Sequence, residues 1–311
     1  MSEAFLAAHG FGAATAQALP ADASFRRYTR LVGGPVPALL MHAPPPEDVR
    51  PFSAIARHLV AHGQPAPRIL AEDAPAGLLL VEDFGALTMA DLLDAGAAPG
   101  PLYQAAAATL AALHAVPPMA GLPDWGVAEM RRATAATFLD WWWPAAMGAP
   151  PAPEIRAGLD AALATMLAPF ASRGFVHRDF FPANLMPLGD RMGLLDFQDA
   201  AIGNPLYDLV SLVEDARRDV PEALRDATVA QYAAASGARE IGPAMAVHAA
   251  QRHLRVAALW VRLDRRDGRP RYLEHGPRCW ALLARALRHP ATAPLRDFLD
   301  NHVPPARRAN P

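Results

Sequence analysis

The stretch from Phe175 to Asp199, FVHRDFFPANLMPLGDRMGLLDFQD, limits the folds open to this chain more than any other part of it. Two apolar pairs, Phe175-Val176 and Leu194-Leu195, flank a polar loop and would hold it in a core. Pro187 to Arg191 reads as a hairpin turn, so Asp179 and Asn184 share one irregular loop and Asp196 enters the same cleft on the returning strand. These three side chains are all oxygen donors. A carboxylate at Asp179 can orient a hydroxyl and accept its proton, while the Asn184 carbonyl oxygen and the Asp196 carboxylate are hard ligands suited to Mg²⁺. Taken singly, each is an ordinary turn or cap residue. That reading does not account for three donors bracketing one hairpin. The set fits metal-assisted phosphoryl transfer by direct in-line displacement, because it supplies positioning and charge rather than a nucleophile.

With 311 residues, 52% of them hydrophobic, the chain can bury a large core in one domain or two lobes. A net charge of -2 excludes a generally basic nucleic-acid binder. No apolar run approaches the roughly 20 residues of a membrane-spanning helix. The start, MSEAFLAAHG, lacks the positive flank of a signal peptide, so a cytoplasmic protein is expected. Cys279 is the only cysteine, which excludes an intramolecular disulfide and a Cys-based zinc cluster and leaves it as a small buried hydrophobe. There is no lysine: all 29 Lys+Arg residues are arginine. Codon bias accounts for that at the surface, but at a phosphate site the two cations present charge differently.

Along the chain, Ser2 to His9 is weakly amphipathic and Thr15 to Met41 is strand-like, broken by DAS, GG and PVP. On the strand from Phe25 to Leu31, Arg26 and Arg27 face opposite sides. Ala38 to Met41, Arg68 to Ala71 and Leu78 to Val81 are further strands, and Pro51 to His62 is a helix with Phe52, Ile55, Ala56 and Leu59 on one face. After Glu82-Asp83-Phe84-Gly85 the composition turns helical. Helices are expected over Leu102 to Val116, Met130 to Trp143, Glu154 to Phe170, Pro205 to Glu214, Pro221 to Ser236, Pro243 to Arg265 and Leu273 to Leu287. Pro144 to Pro153 reads as a linker and Pro304 to Pro311 as a frayed tail. The division expected is residues 1–83, a sheet lobe binding nucleotide, and 84–311, a helical lobe carrying catalysis and substrate binding.

With EDFG, HRDFFPAN, LLDFQD and GNPLYDL in place, nearly the whole chain resembles the aminoglycoside phosphotransferase-like branch of the protein-kinase fold. DASFRRY, HAPPPEDVRPF and LLDFQDA followed by YDLVSL look more narrowly like the bacterial anomeric kinases of N-acetylmuramate and N-acetylglucosamine that serve cell-wall recycling. The resemblance implies an α+β, two-lobed kinase-like fold with a small antiparallel-sheet N-lobe and a larger helical C-lobe. It implies Asp179 as catalytic base, Asn184 and Asp196 as Mg²⁺ ligands, and a hinge over Glu82 to Phe84 whose backbone bonds adenine. Asp208 matches an acidic residue that braces the catalytic loop. His177 would be a buried loop-fixing residue and Arg178 an internal ion-pair partner.

Two family features are missing. The third strand, LLMH, has Met41 or a neighbour where such kinases place a phosphate-binding lysine, and the turn Ala21-Asp22-Ala23-Ser24 is not a Gly-rich loop. The Ser24 hydroxyl, nearby backbone N–H groups and Arg26 or Arg27 are the expected replacements, against the alternative that these arginines merely solvate a strand edge. Asp199 is a candidate for substrate contact and equally for a turn cap. Trp142, in the run Phe138, Trp141, Trp142, Trp143, is a candidate for stacking on a sugar, although aromatics at helix spacing are usually core. The reading favoured is an ATP- and Mg²⁺-dependent kinase of a sugar hydroxyl, with a small-molecule sugar and ATP as partners and neither nucleic acid nor membrane. An aminoglycoside or small-alcohol phosphotransferase is the rival. From Leu206 onward Arg outnumbers Asp plus Glu, which suits a neutral or carboxylate-bearing substrate better than a polycationic drug. A catalytically silent nucleotide-binding regulator is the rival of another class, motivated by the absent lysine and opposed by Asp179, Asn184 and Asp196.

Overall fold

The computed structural model describes residues 2–20 and 26–311. They fall into two compact units, and the chain passes between them more than once. The first comprises the described part of Met1–Thr109 with Pro182–Ala200, and the second Leu110–Phe181 with Ala201–Pro311.

The first unit is built on an antiparallel five-stranded sheet of order β1-β2-β3-β5-β4. Its strands are β1 (Thr15–Ala18), β2 (Arg27–Val32), β3 (Ala38–His42), β4 (Ile69–Asp73) and β5 (Leu78–Glu82). The apolar run Leu78-Leu79-Leu80-Val81 is buried on both faces, as a strand covered from two sides must be. On one face Leu78 and Leu80 join Leu31, Ala38 and Leu40 against Phe5 of α1 (Ser2–Ala8) and Phe11. On the other, Met41 pairs with Leu79 and both are fully buried, so Met41 is core.

Helix α2 (Arg50–Ala61) buries Phe52, Ile55, Ala56 and Leu59, the stripe that helical periodicity demands. Phe52, Ile55 and Leu59 each contribute about 1.5–3 kcal/mol when fully removed from water. Phe52 stacks on Phe197 at 4.7 Å, which anchors the residue following Asp196. After α3 (Met89–Asp94), opened by a capping box of Thr88 and Asp91, comes α4 (Pro99–His114), whose residues up to Thr109 belong to this unit.

The second unit begins with β6 (Asp124–Trp125), then α5 (Val127–Thr134), a π-helical stretch (Ala135–Trp142), α6 (Trp143–Met147), α7 (Pro153–Leu167) and β7 (Gly174–Val176). The hairpin β8 (Leu185–Leu188) and β9 (Arg191–Leu194) returns to the first unit. β10 (Ala201–Gly203), α8 (Leu206–Val213), α9 (Glu222–Ser236), α10 (Ile241–Asp267), α11 (Gly276–Ala286) and α12 (Ala293–His302) complete the second. β10 lies between β6 and β7, parallel to the first and antiparallel to the second. Helix α10 is the unit's axis, packing against α8, α11 and the aromatic stretch 135–142.

The structure departs from the sequence expectations in four places. The hairpin Leu185–Leu194 belongs with the sheet, since Leu194 N donates to Pro65 O at 2.8 Å and Met192 N to Thr109 Oγ1 at 2.9 Å. The compact units therefore do not divide at residue 83. The expected helix over Met130 to Trp143 is π-wound from Ala135, where Phe138 and Trp142 stack at 4.7 Å. Pro144 lies within α6, so the linker shortens to residues 148–152. The tail is pinned, because Trp142 Nε1 donates to Ala309 O at 2.8 Å and Trp280 Nε1 to Asn310 Oδ1 at 3.0 Å.

Candidate active site

In the second unit, β7 delivers the chain to His177, Arg178 and Asp179, and one buried carboxylate holds the turn that follows. Asp208, in the first turn of α8, is fully buried. Its Oδ2 accepts the His177 N–H at 2.6 Å and lies 3.3 Å from His114 Nε2, and its Oδ1 accepts the Arg178 N–H at 2.8 Å. A buried carboxylate needs such donors, and two backbone N–H groups supply them with charge-assisted bonds. His114 Nδ1 is in turn 2.8 Å from the Tyr232 hydroxyl. Burial, helped by Asp208, pushes that hydroxyl up to about 12, so it stays protonated and available as a donor.

The clamp holds an unfavourable conformation. Arg178 has φ 75°, a left-handed backbone that costs an ordinary residue roughly 1–2 kcal/mol. Strain of this kind persists only where the surroundings over-determine it, and here it fixes the direction in which the next residue, Asp179, leaves the loop. His177 is buried, with its ring edge on Phe180 at 5.8 Å. The Arg178 guanidinium lies 4.1 Å above the Trp125 ring and close enough to Glu129 to help hold that carboxyl below its usual range, after the larger effect of Arg132.

Asp179 lines a cavity of about 120 Å³ together with Arg178, Arg217, Arg252, Arg255, Val256, Leu259 and Trp260. The arginines of α10 escaped the sequence reading. Their signal was a pair at i and i+3 on a helix whose neighbours, from Ala249 to Trp260, are mostly apolar.

In the first unit, the hairpin brings Asn184 and Asp196 together. The Asn184 amide nitrogen is 3.5 Å from Asp196 Oδ2, and Gln198 Nε2 donates to Asp196 Oδ1 at 2.7 Å. At 3.5 Å the first contact is at the limit of a hydrogen bond, and the oxygen and nitrogen of an amide are exchanged by a flip. Turned over, Asn184 presents its oxygen beside the carboxylate. Asp196 is exposed and has φ 58°, a region aspartate tolerates better than most residues. This donor set fits Mg²⁺, which takes one or two protein oxygens and completes its shell with water and phosphate.

The stretch Glu82 to Gly85 is fixed by two arginines. Arg68 Nε donates to Glu82 at 3.1 Å, while Arg30 donates to both Asp83 oxygens, at 2.5 and 3.0 Å, and to Gly85 O at 2.6 Å. The N–H groups of Glu82, Asp83 and Gly85 serve Arg68 O, Pro37 O and Asp83 Oδ1. Among the described residues, the Phe84 N–H has no such acceptor. The Phe84 ring lies against Gly193 of β9, where a Cβ would meet ring carbon Cδ2 at 2.6 Å, so the strand needs glycine there for close approach rather than for its dihedral.

Of the expected phosphate ligands, Ser24 lies outside the described residues. Arg26 is largely buried and pairs through Nε with Glu47 Oε2 at 3.2 Å, whereas Arg27 is exposed. Asp199 is exposed, in the first unit. Trp142 is fully buried between Phe138 and Trp280, so it is a core ring and not a platform for a sugar.

A small antiparallel-sheet unit, a helical unit and a clamped HRD loop followed by an Asn–Asp hairpin define a kinase-like phosphotransferase. Residues 15–245 match the phosphotransferase enzyme family, and the chain belongs to it. It is 38% identical to the N-acetylmuramate/N-acetylglucosamine kinase of Pseudomonas aeruginosa, covering 91% of this chain and 88% of that one. It is 33% identical to the enzyme of the same name from Caulobacter vibrioides, over 97% and 95% of the two chains. Among solved structures, a choline/ethanolamine kinase family protein from Mesorhizobium loti superposes with a TM-score of 0.66 at 15% identity, over 96% of this chain and 97% of that one. An aminoglycoside phosphotransferase in ternary complex with AMP-PNP and hygromycin B gives 0.63 at 17%, over 92% and 98%. These last two share the fold.

Proposed function

We propose that the chain transfers the γ-phosphoryl group of ATP, with Mg²⁺, to the anomeric hydroxyl of N-acetylmuramate or N-acetylglucosamine. The observation that carries this reading is the Asp208 clamp on the HRD loop, which fixes the approach to Asp179 at the cost of a strained residue. Relatives bearing that name over nearly their whole length support the choice of sugar. Asp179 accepts the proton of the attacking hydroxyl. Asn184 and Asp196 would hold the metal, whose charge offsets that developing on the transferred group. The Phe84 N–H is the hinge donor for adenine, since its neighbours are already committed. Arg26, oriented by Glu47, takes the phosphate role usually given to lysine, in the manner of the kinase Lys–Glu pair.

A regulator that binds nucleotide without chemistry would have no use for strain beside Asp179. The test is ATP consumption with N-acetylmuramate, N-acetylglucosamine, aminoglycosides and choline, followed by phosphorus NMR of the product. A sugar 1-phosphate is expected. Turnover with an aminoglycoside or choline alone, or nucleotide binding with no turnover of any acceptor, overturns the reading.

A further inference from the structure

The cavity beside Asp179 has an unusual charge. Four guanidinium groups, of Arg178, Arg217, Arg252 and Arg255, line about 120 Å³ together with one carboxylate. Arg252 and Arg255 occupy one face of α10 with Val256 and Leu259, at the i, i+3, i+4, i+7 spacing of a helical stripe. Arg217 reaches in after α8, its guanidinium 4.4 Å from the Phe181 ring and 5.2 Å from Trp260.

Two of these groups, Arg252 and Arg255, keep a buried donor that no described residue accepts. Arg252 is only 2% exposed, yet among the described residues its Nε has no hydrogen-bond acceptor, and its terminal contact to the Tyr207 hydroxyl is a long 3.5 Å. Arg255 donates to the same hydroxyl at 2.8 Å, and its Nε too is buried without an acceptor. A buried donor left unpaired is costly, so the site gains from an acceptor that fills it. Against these four guanidinium groups stand two nearby carboxyls, of Asp179 and Asp215. Asp215 is buried, takes the Arg217 N–H at 2.9 Å, and is pushed above the usual carboxylate range by burial despite the surrounding arginines. Positive charge therefore exceeds negative, and the unfilled donors suit a planar anion with two oxygens.

We infer that this cavity receives the carboxylate of an acidic sugar substrate, and that Arg217, Arg252 and Arg255 set the preference for N-acetylmuramate over N-acetylglucosamine. The two sugars differ by the lactyl ether that carries that carboxylate. The inference rests on the proposed sugar-kinase activity. A nucleotide phosphate is the other anion to consider. The assignment goes to the acceptor because the arginines share a unit with Asp179, whereas Arg26, Phe84, Asn184 and Asp196 all belong to the other.

The test compares N-acetylmuramate, its carboxamide and N-acetylglucosamine on the full chain, so one arm needs no mutation. The parent should favour the acid over its carboxamide by roughly 10- to 100-fold in kcat/KM, the range of a charge-assisted hydrogen bond. Arg217→Gln and Arg255→Gln should each erase most of that preference, and Arg217→Lys should restore part of it. Arg252 is left intact because removing so buried a cation endangers folding. Equal treatment of acid and carboxamide by the parent overturns the inference. So does a variant that raises the KM for ATP while the acid-to-amide ratio holds, which would make the cavity a phosphate site. Calorimetry of sugar binding without nucleotide separates the two claims. If no sugar is phosphorylated but the acid still binds better than the amide and loses this in Arg217→Gln, the cavity assignment stands and the kinase reading fails. If both sugars are phosphorylated without preference, the reverse holds.

Discussion

Replacing Asp208 by Asn changes one oxygen to nitrogen at the centre of the catalytic loop, and its cost can be worked from the contacts. The carboxylate serves two backbone donors and faces His114 Nε2. An amide of the same shape keeps one acceptor and turns an NH2 group toward the other side. One charge-assisted bond is lost, worth about 1.5–3 kcal/mol, and a buried N–H is left unpaired at about 1–3 kcal/mol. Together they come to roughly 2.5–6 kcal/mol, a large share of the 5–15 kcal/mol by which domains are stable. Part of it would be relieved by letting Arg178 leave its left-handed conformation, which moves Asp179. A misplacement of about 1 Å at a reacting group costs on the order of 10²-fold in rate. We expect Asp208→Asn to fold with markedly lower urea resistance and a kcat at least about 100-fold down, with ATP affinity unchanged. Urea unfolding followed by a coupled ADP assay measures both. Stability within 1 kcal/mol of the parent and kcat within about threefold would refute the clamp.

Asp179→Asn should lower kcat by roughly 10²- to 10⁴-fold while calorimetric ATP affinity stays level; lost ATP binding with nearly intact turnover would contradict the base assignment. Asp196→Ala should abolish Mg²⁺-dependent nucleotide binding along with turnover, and unchanged affinity for the Mg-nucleotide complex would remove Asp196 from the metal site. Arg26→Ala should raise the KM for ATP strongly and Arg27→Ala little, because Arg26 is oriented by Glu47 and Arg27 is exposed; equal effects of the two would refute this. Glu214 gives a pH prediction. Burial raises its carboxyl, but His253 at 2.8 Å, Arg285 at 2.7 Å and Arg225 at 3.0 Å outweigh that and hold it at about 2, against an ordinary 4.5. With the folded value depressed, the contribution is present above about pH 4.5 and is lost as pH falls toward about 2. It amounts to roughly 3 kcal/mol. The stability gap between parent and Glu214→Gln should therefore close across that range in acid titrations, and a gap independent of pH would count against the ion network.

What the sequence could tell depended on how local the cause was. Helix α2 and strands β3 and β5 were legible because their burial follows periodicity, and Phe52, Ile55, Ala56 and Leu59 are buried as expected. Strands β6 and β10 have two and three residues, too few for alternation to register, and they are strands only because β7 lies nearby in space. The π-winding after Thr134 and the pinning of the tail by Trp142 and Trp280 both come from long-range packing of aromatics that looked merely helical. At the site, HRDFFPAN and the Asp after Leu195 were visible as residue types. The Asp208 clamp was visible only through resemblance, and the convergence of Arg217, Arg252 and Arg255 was not visible at all, since Arg217 and Arg252 lie 35 positions apart in the chain.

A chain without lysine must use guanidinium wherever it needs a cation, and the structure sorts these groups by how their donors are spent. Arg30 and Arg68 are consumed by carboxylates and carbonyls at the hinge, so their forks serve as braces that shape backbone. Arg225 does the same for the buried Glu214 through two donors to one carboxylate oxygen. Arg252 and Arg255 differ, because they are held by packing and a tyrosine hydroxyl while buried Nε donors remain without acceptors. A lysine could not be used in this way. Its compact charge is strongly hydrated and readily gives up a proton when buried, whereas guanidinium keeps its charge and offers a fork already set for two oxygens. Arginine in place of lysine can thus be neutral at the surface and consequential in this cavity, where it lets the protein keep charge buried until an anion arrives.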